Sequence, residues 1–472
     1  MTIAEALKKL PAFPRYAVAF SGGADSTALL KALCEAVGPE RVAALHFEHG
    51  IRGEESLADA SFCKEFAKTL GVEFAMGDAP RGLLACPAPG QNREELARIE
   101  RYKWFARICA KLKIGCLLTA HHADDASETL LMHLFRGSGG AGIRGLRKSA
   151  KISELFPEIA SDLLIWRPFI DVPGRELREY CLKFGLAFRE DSTNGDTAYT
   201  RNWLRKEIVP KLKEKFGPGL PLRLRNTSRQ LEDMLDLVAE EAEGFLAKEA
   251  LLAPFGVIVD REAFLGLKRA LQREVIRILA AGEDNWDFCN LEEALFSLEK
   301  GEDTASPPPG LWRWIVAGPK IVFYNESFPL KEFLRSRFSL RSADARGEGY
   351  SDGGRGWLDW ARGEKVTFRQ FARKDAYEIV HFASGMRFKL VNGGEKKIGD
   401  LFTDAKLPAF LRKAVPMLSA GESVAFLPGW RISELAALRE GDEVLELALS
   451  LPAAKPWDKE LFKALKRGET EW

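Results

Sequence analysis

The stretch that decides the fold is residues 16–34, YAVAFSGGADSTALLKALC. Tyr16–Phe20 is a short apolar run of strand length, and Ser26–Cys34 has the residue spacing of a helix. The glycine turn between them joins strand to helix directly, as in parallel sheets that are covered by helices. The chain is therefore predicted to open with an α/β domain.

Outward from this stretch, strand-like and helix-like segments alternate to about residue 140. Further strands are predicted at Arg41–Phe47, Val72–Met76 and Cys116–Thr119, and further helices at Leu57–Leu70, Asn92–Leu112 and His122–Phe135. This alternation predicts an open parallel sheet with helices on both faces. In such a sheet, ligands bind at the carboxyl ends of the strands.

The turn at residues 21–26 has the chemistry of a pyrophosphate site. Its glycines let backbone N–H groups approach anionic oxygens, and the N-terminus of the following helix adds partial positive charge. Asp25 would repel phosphate unless a cation lay between them, so it implies Mg²⁺ and is the predicted metal ligand. No lysine stands where a Walker A loop needs one, and the alternative is an ordinary serine-capped turn. The predicted phosphate-binding residues are Ser21, Gly22, Gly23, Ala24, Asp25 and Ser26.

A second cluster, HHADDASET, begins at His121 after the fourth predicted strand. Asp125 and Glu128 are three residues apart, which places both carboxylates on one face of a helix near its N-terminus. Such a cluster can hold Mg²⁺ or an ammonium group; the alternatives are a solvated first turn and a zinc site at the histidines. The run GSGGAG at 137–142 matches a dinucleotide-binding fingerprint but follows a helix rather than a strand, which argues against that interpretation.

The composition is that of a globular protein of roughly two to four domains. The chain has 472 residues, 46% of them hydrophobic, and a formal net charge of +1, so a nucleic-acid surface must be a local basic patch. Its seven cysteines form no C-x-x-C pair, which favours a reducing cytoplasm over a disulfide framework. No signal peptide or membrane-spanning run is recognised, so a cytoplasmic protein without membrane contact is expected.

The chain changes character near residue 200. Residues 201–229 carry nine basic residues, opposed only by Glu207 and Glu214. Residues from about 225 to 300 have helical spacing, and Arg341–Gly356 has the composition of an exposed linker. We therefore predict a catalytic domain at 1–215, a helical domain at 216–335 and a small α+β domain at 357–472.

The S-G-G-x-D-S loop resembles that of the ATP-pyrophosphatase (PP-loop) superfamily, whose fold is adenine nucleotide α hydrolase-like. Other segments are similar to bacterial tRNA(Ile)-lysidine synthetases: His46–Asp59, Asn92–Tyr102, His121–Thr129 running into LFRGSGGAGIRGL, Asp191–Asn194, Tyr199–Arg205, Lys396–Pro408 and Phe426–Ser433. The similarity covers about residues 15–210 and 385–435. Ala126, Leu146 and Met386 depart from the family pattern, where glutamine, methionine and often an acidic residue are usual.

The resemblance implies a two-step reaction that uses ATP and Mg²⁺. O2 of the wobble cytidine in the CAU anticodon of an isoleucine tRNA attacks the α-phosphate of ATP, pyrophosphate leaves, and free L-lysine then displaces AMP at C2. Asp125 and Glu128 would hold an ammonium group of lysine, and Arg201 or Arg205 would bind its carboxylate. His49 and His121 are candidate proton carriers or ATP contacts. A homodimer is a further expectation. The predicted catalytic residues are Asp25, His121, Asp125, Glu128, Arg201 and Arg205.

RNA binding is predicted at two basic patches, in which cations would neutralise phosphates and make affinity salt dependent. The alternative for both is a solvated basic face. The helical and C-terminal domains are expected to bind the tRNA. The predicted contacts are Arg98, Arg101 and Arg107 on the long helix of residues 92–112, and Lys211, Lys213, Arg223 and Arg225 in the denser cluster.

Two other functions stay open from the residues alone. One is a tRNA thiolase of the same superfamily, which would need a reactive cysteine pair or an iron–sulfur site. The other is a non-catalytic RNA-binding protein that keeps the ATP loop as a relic. An amidotransferase-type synthetase is disfavoured because no glutaminase domain with an N-terminal cysteine is present.

Overall fold

The computed structural model describes residues 2–48, 54–79, 93–137, 142, 144–156, 158–190, 200–280, 288–303, 312–326, 328–343, 351–390, 394–421, 423–430 and 433–467. The chain divides into two compact units, Met1–Leu235 and Asp236–Trp472. The assignment of functions to three separate domains stays a prediction. Among the residues that the structure describes, no helix combines the length and apolar character that crossing a bilayer requires.

The N-terminal unit is built on one six-stranded sheet. Its strands are β1 (Tyr16–Ala19), β2 (Val42–Glu48), β3 (Glu73–Asp78), β4 (Cys116–Leu118), β5 (Ser149–Lys151) and β6 (Leu164–Trp166). Its helices are α1 (Ile3–Leu7), α2 (Ala24–Val37), α3 (Glu54–Thr69), α4 (Arg93–Lys111), α5 (Ala123–Phe135), α6 (Ile152–Leu155), α7 (Gly174–Lys183), α8 (Thr200–Trp203) and α9 (Val209–Phe216). A π-helical segment, Leu204–Ile208, joins α8 to α9, and α10 (Leu220–Glu249) continues beyond the unit.

The sheet order is β3-β2-β1-β4-β6-β5, and only the β5–β6 pair is antiparallel. The order reverses between β1 and β4, which places the ligand-binding crevice of an open α/β sheet at their carboxyl ends. The predicted open parallel sheet and the α/β fold class are confirmed.

Helices cover both faces of this sheet because its strands are apolar on both sides. Val18 packs in the layer that includes Leu29 and Leu33 of α2. The adjacent Ala17 packs in the opposite layer, with Phe105 and Cys109 of α4. The alternation of neighbouring residues between two cores fixes β1 as a central strand.

The C-terminal unit contains three antiparallel or mixed sheets. Its strands are β7 (Ala250–Ala253), β8 (Gly256–Asp260), β9 (Trp312–Ala317), β10 (Lys320–Asn325), β11 (Phe338–Ala343), β12 (Val366–Arg373), β13 (Glu378–His381), β14 (Arg387–Lys389), β15 (Glu395–Lys397), β16 (Pro416–Ala420), β17 (Ser423–Phe426), β18 (Val444–Leu451) and β19 (Lys455–Pro456). Its helices are α11 (Arg261–Leu265), α12 (Arg269–Ala280), α13 (Phe288–Lys300), α14 (Leu330–Ser336), α15 (Arg355–Ala361), α16 (Ile398–Asp404), α17 (Ala409–Arg412) and α18 (Lys459–Arg467). The orders are β19-β7-β8-β10-β9, β11-β18-β12 and β13-β16-β17-β14-β15.

Two sequence-based predictions missed strands in this unit. The region predicted as helical from about 225 to 300 contains the hairpin β7–β8, which pairs further with β10. The predicted linker Arg341–Gly356 begins inside β11, where Arg341 faces Glu446 of β18 in the register. In both places cross-strand partners outweigh local propensity, since strand formation depends on distant segments.

Gly22 allows the chain to pass from β1 into α2. Its φ is +84°, a conformation that favours glycine. A Cβ at this position would lie 3.0 Å from Cys63 Sγ and 3.2 Å from the Phe62 ring. Both the backbone and the packing therefore require a glycine here.

We predict that Gly22→Ala destabilises the protein by about 1–3 kcal/mol, because it adds left-handed strain to a close contact. The matched control is Gly71→Ala, where φ is +68° but no atom lies within 4 Å of the added Cβ. Denaturant unfolding of both variants gives the comparison, with the smaller loss expected for Gly71→Ala. Equal losses of unfolding free energy in the two variants would show that the contact with Cys63 adds nothing to the destabilisation.

Candidate active site

The glycine turn presents donors at the carboxyl end of β1. Gly23 is the N-cap of α2 and provides no side-chain cap for the first helical N–H groups. The Ser21 and Ser26 hydroxyls lie 3.1 Å apart, and Ser26 Oγ also donates to Gly23 O at 3.1 Å. Helix N–H groups without a side-chain cap, beside two hydroxyls, have the chemistry of an anion site, and anion binding by this turn stays a prediction.

The second cluster begins where β4 ends. Thr119 Oγ1 lies 2.8 Å from His121 Nδ1, and α5 then starts after the N-cap His122. The backbone N–H of Gly174 donates to Asp124 Oδ2 at 2.9 Å. A Cβ on Gly174 would lie 2.8 Å from His122 Cε1, so the close approach of α7 needs a glycine.

His122 connects the glycine turn to the carboxylates of α5. Its Nε2 lies 3.6 Å from Asp25 Oδ2 and 3.4 Å from Asp125 Oδ2. Its Nδ1 lies 3.7 Å from Asp124 Oδ2. Burial opposes its positive charge, but these carboxylates outweigh burial and raise the pKa of His122 to about 9. His122 is thus an imidazolium at neutral pH and adds positive charge beside the turn.

His121, and not His122, is among the predicted catalytic residues. In the structure the two histidines have different charge states. Burial, assisted by nearby arginines, lowers the pKa of His121 well below its ordinary value, although Asp125 opposes this. His121 is therefore neutral. The signal that could have singled out His122 is its position directly before the helix, where its ring can meet carboxylates from the first turn.

Asp125 and Glu128 form ion pairs with Arg201 and Arg205. Glu128 is 2% exposed. Arg205 donates to it through Nε and Nη2, both at 2.7 Å, and Arg201 Nε donates to it at 3.2 Å. Nη2 of Arg205 and of Arg201 also donate to Asp125 Oδ1, at 3.0 and 3.3 Å. The carboxylates thus bind the guanidinium groups of the same protein, and their predicted contacts with a substrate stay a prediction.

These ion pairs shift the titration of their members. Burial would raise the pKa of Asp125, but the charges of His122 and the two arginines outweigh it and lower that pKa. Hydrogen bonding to Glu128 raises the pKa of Arg205 further. Lys213 Nζ donates to Asp124 Oδ1 at 2.6 Å, and this contact, with the Gly174 N–H, lowers the pKa of Asp124 against the effect of burial. The segment 200–216 is therefore held to α5 by three cations.

Asp25 could bind Mg²⁺ only if phosphate oxygens supplied further ligands to the metal. Its side chain is 46% exposed and lies at the edge of the turn, beside His122. Among the described residues, no group of three histidine, cysteine or acidic side chains could hold a metal alone. Mg²⁺ commonly binds through one or two carboxylates plus substrate phosphates, which matches this sparse donor set.

The predicted RNA contacts divide by exposure. Arg98, Arg107, Lys211 and Arg223 lie at the surface, whereas Arg101 is half-buried and Lys213 pairs with Asp124. The prediction for Arg225 is wrong in this structure: the residue is 2% exposed and pairs with Asp171 at 3.3 Å and Glu232 at 3.8 Å. Among the predicted ATP contacts, His49 lies outside the described residues.

Five of the six cysteines that the structure describes are buried, and the sixth, Cys289, is exposed. Cys34, Cys63, Cys109, Cys116 and Cys181 are buried and free. Burial raises the pKa of Cys63, Cys109 and Cys116 to about 12. Reactive cysteines need a depressed pKa, so these residues give no support to the thiolase alternative.

Comparison with known proteins matches two separate segments of the chain. A family model described as the PP-loop domain matches residues 1–212, and one described as the TilS substrate C-terminal domain matches residues 379–448. The tRNA(Ile)-lysidine synthase of Geobacter sulfurreducens is 29% identical over 458 residues, covering 91% of this chain and 92% of its own. That of Burkholderia pseudomallei is 36% identical over 263 residues, covering 52% of this chain and 50% of its own. The U34-tRNA thiolase NcsA from Methanococcus maripaludis, solved with its 4Fe-4S cluster, covers 48% of this chain and 78% of its own at 19% identity and a TM-score of 0.39.

The sheet order, the glycine turn and the matched N-terminal domain define a PP-loop enzyme that uses ATP. The matched C-terminal domain and relatives that align along 91% of the chain narrow this class. The chain thus combines a PP-loop domain with a TilS substrate C-terminal domain, and it is similar to tRNA(Ile)-lysidine synthases along 91% of its length.

We predict that the Glu128–Arg205 pair is strongly coupled. Arg205→Met leaves the buried carboxylate with fewer donors, and Glu128→Gln in the same chain removes most of that cost. A double-mutant cycle on unfolding free energy should give about 1–2 kcal/mol, the lower part of the range for a buried charge because the arginine side chain is 40% exposed.

The control for this cycle is the Lys151–Asp162 pair, whose atoms lie 2.8 Å apart on the surface. Lys151→Met and Asp162→Asn should be additive, since exposed ion pairs contribute little. Additivity at Glu128 and Arg205 as well would contradict the assignment of these residues to a buried network.

Proposed function

We propose that this protein is a tRNA(Ile)-lysidine synthetase: it ligates L-lysine to C2 of the wobble cytidine in the CAU anticodon of an isoleucine tRNA. The observation that carries the proposal is the junction at His122. This imidazolium joins the phosphate-binding turn to the carboxylate–guanidinium cluster, within a chain that also has the family's C-terminal domain.

The first step requires stabilisation of negative charge on a triphosphate. O2 of the cytidine forms a bond to the α-phosphorus, and the bond between that phosphorus and the α,β-bridging oxygen breaks to release pyrophosphate. The N–H groups of the turn, the Ser21 and Ser26 hydroxyls and the His122 imidazolium would stabilise the charge that develops. Asp25 would hold Mg²⁺ against the phosphates, where the metal offsets their negative charge.

The second step requires an amine beside the adenylated base. The ε-amine of lysine forms a bond to C2, the C2–O2 bond breaks, and AMP leaves with that oxygen. Asp125 would hold an ammonium group of lysine, and Arg201 or Arg205 would bind its carboxylate. The low pKa of His121 argues against the proton carriage predicted for it, so we assign it an orienting role through Thr119.

The RNA would reach this site through surface cations. Four exposed cations are suited to phosphate contacts: Arg98 and Arg107 on α4, Lys211 on α9 and Arg223 on α10. The target base must leave its stack to reach the turn, as for other enzymes that act on a base. We place the reaction in the cytoplasm, where substrate tRNA is available, and retain a homodimer as a prediction.

The direct test incubates the purified protein with ATP, Mg²⁺, radiolabelled L-lysine and an isoleucine tRNA with a CAU anticodon. We expect label in the tRNA and release of AMP and pyrophosphate in equal amounts. The control RNA is an initiator methionine tRNA, which has the same anticodon and should stay unlabelled. The absence of label from both RNAs would refute the proposal and leave only the nucleotide chemistry.

A second prediction concerns Asp25. We expect Asp25→Asn to lower lysidine formation by about 10²–10³-fold, the size of effect seen when one stabilising group at a reacting centre is lost. Folding should be unaffected because the side chain is 46% exposed. The matched control is Asp162→Asn, an exposed carboxylate of the same unit. Full lysidine formation by Asp25→Asn would overturn the role assigned to Asp25, whereas a wild type that binds the tRNA but forms no lysidine would favour a non-catalytic RNA-binding protein with a relic loop.

A further inference from the structure

A buried ion pair joins α10 to the turn that precedes α7. Arg225 on α10 is 2% exposed, and its Nε lies 3.3 Å from Asp171 Oδ1. The contact is an ion pair without the alignment of a hydrogen bond, since that Nε has no hydrogen-bond partner. Ile170 and Val172, on either side of Asp171, are fully buried. Because a buried guanidinium is tolerated only when it is paired, α10 and this turn are held together here.

The turn at residues 171–174 contacts the N-terminus of α5 at three points. The N–H of Ala123, the first residue of α5, donates to Val172 O at 2.9 Å. The N–H of Gly174 donates to Asp124 Oδ2 at 2.9 Å. Gly174 also lies so close to the His122 ring that an added Cβ would be 2.8 Å from Cε1. The turn therefore determines where α5 begins and where its first side chains lie.

One face of α10 carries this contact together with two others. Arg225, Ser228 and Glu232 are spaced by three and four residues, which places them on the same side of the helix. Ser228 Oγ donates to Arg144 O at 3.0 Å, and Glu232 Oε1 lies 3.8 Å from Arg147 Nε. Glu232 Oε2 also lies 3.8 Å from Arg225 Nη1. Arg225 thus has two acidic partners, one in the 171–174 turn and one on its own helix.

We propose that Arg225 is a positioning residue for the ligation reaction: through Asp171 it holds the 171–174 turn against α5 and so fixes where His122 and Asp124 lie. The inference rests on the proposed function, since it assigns a residue that supports the same site. It gives Arg225 a role in place of the RNA contact that the sequence suggested. Arg225 touches no substrate in this role and acts only through the turn.

The position of His122 matters because the junction at the glycine turn depends on short distances. Its Nε2 lies 3.6 Å from Asp25 Oδ2 and 3.4 Å from Asp125 Oδ2. A displacement of about 1 Å at a reacting centre can lower a rate by about 10²-fold. Arg201 and Arg205 bind the α5 carboxylates from another segment and stay in place when the turn is released. Loss of Arg225 should therefore lower kcat more than it weakens substrate binding.

The test measures kcat and KM of lysidine formation for Arg225→Met, Asp171→Asn and the double variant. Each single change should lower kcat by about 10–100-fold with KM for ATP and lysine little changed. The double variant should lose no more than either single variant, because both changes release the same turn. Arg225→Lys should recover part of kcat, since the contact depends on charge. Asp171→Asn decides the case if Arg225→Met fails to fold.

The matched control is Glu232→Gln, which removes the other acidic partner of Arg225 and leaves the Asp171 contact intact. It should lower the free energy of unfolding but leave kcat unchanged. An equal fall of kcat in Glu232→Gln would reduce Arg225 to a structural role and overturn the inference. Unchanged kcat in Arg225→Met and Asp171→Asn, or additive losses in the double variant, would also overturn it.

Two further outcomes separate this inference from its alternatives. A higher KM for tRNA in Arg225→Met, with unchanged kcat, would restore the RNA contact and contradict the positioning role. Failure of the wild type to ligate lysine would refute the proposed function itself, and the inference with it. A wild type that forms lysidine, with no effect of the Arg225 and Asp171 changes, would refute the inference alone.

Discussion

The constraint on which the N-terminal unit depends is the left-handed turn at Gly22. It lets the chain pass from β1, buried between two helical layers, into α2 through four residues, with no side-chain cap on the helix. The sheet order reverses beside this strand, so the uncapped N–H groups lie in the crevice between β1 and β4. The turn between β1 and α2 therefore has the chemistry of an anion site. The rest of the chemistry depends on the side chains of β4 and α5 at the same edge of the sheet.

The segment after β4 and the helix α5 contribute a compact cluster of oppositely charged side chains. His122 lies between Asp25, Asp124 and Asp125, and Lys213 and two arginines bind the remaining carboxylate oxygens. Buried charges are tolerated only when they are paired, so each acid here has a cation within reach.

The sequence predicted those features that depend on neighbouring residues. The glycine turn and the alternation of strands and helices are local, and the structure confirms them. The hairpin β7–β8 was missed because ALLA has helical composition and its partners β10 and β19 lie far along the chain. The pairing of Arg201 and Arg205 with Glu128 and Asp125 spans 73–80 residues, so the sequence indicated these residues without showing that they bind one another. Arg225 belongs to a basic run, and only the fold reveals Asp171 beside it.

The most direct measurement is a crystal structure with Mg²⁺ and a non-hydrolysable ATP analogue. The account predicts phosphate oxygens within hydrogen-bond distance of the N–H groups at Gly23 and Ala24 and of Ser26 Oγ, with the metal at Asp25. A triphosphate bound elsewhere on the protein, with this turn free of ligand, would contradict it.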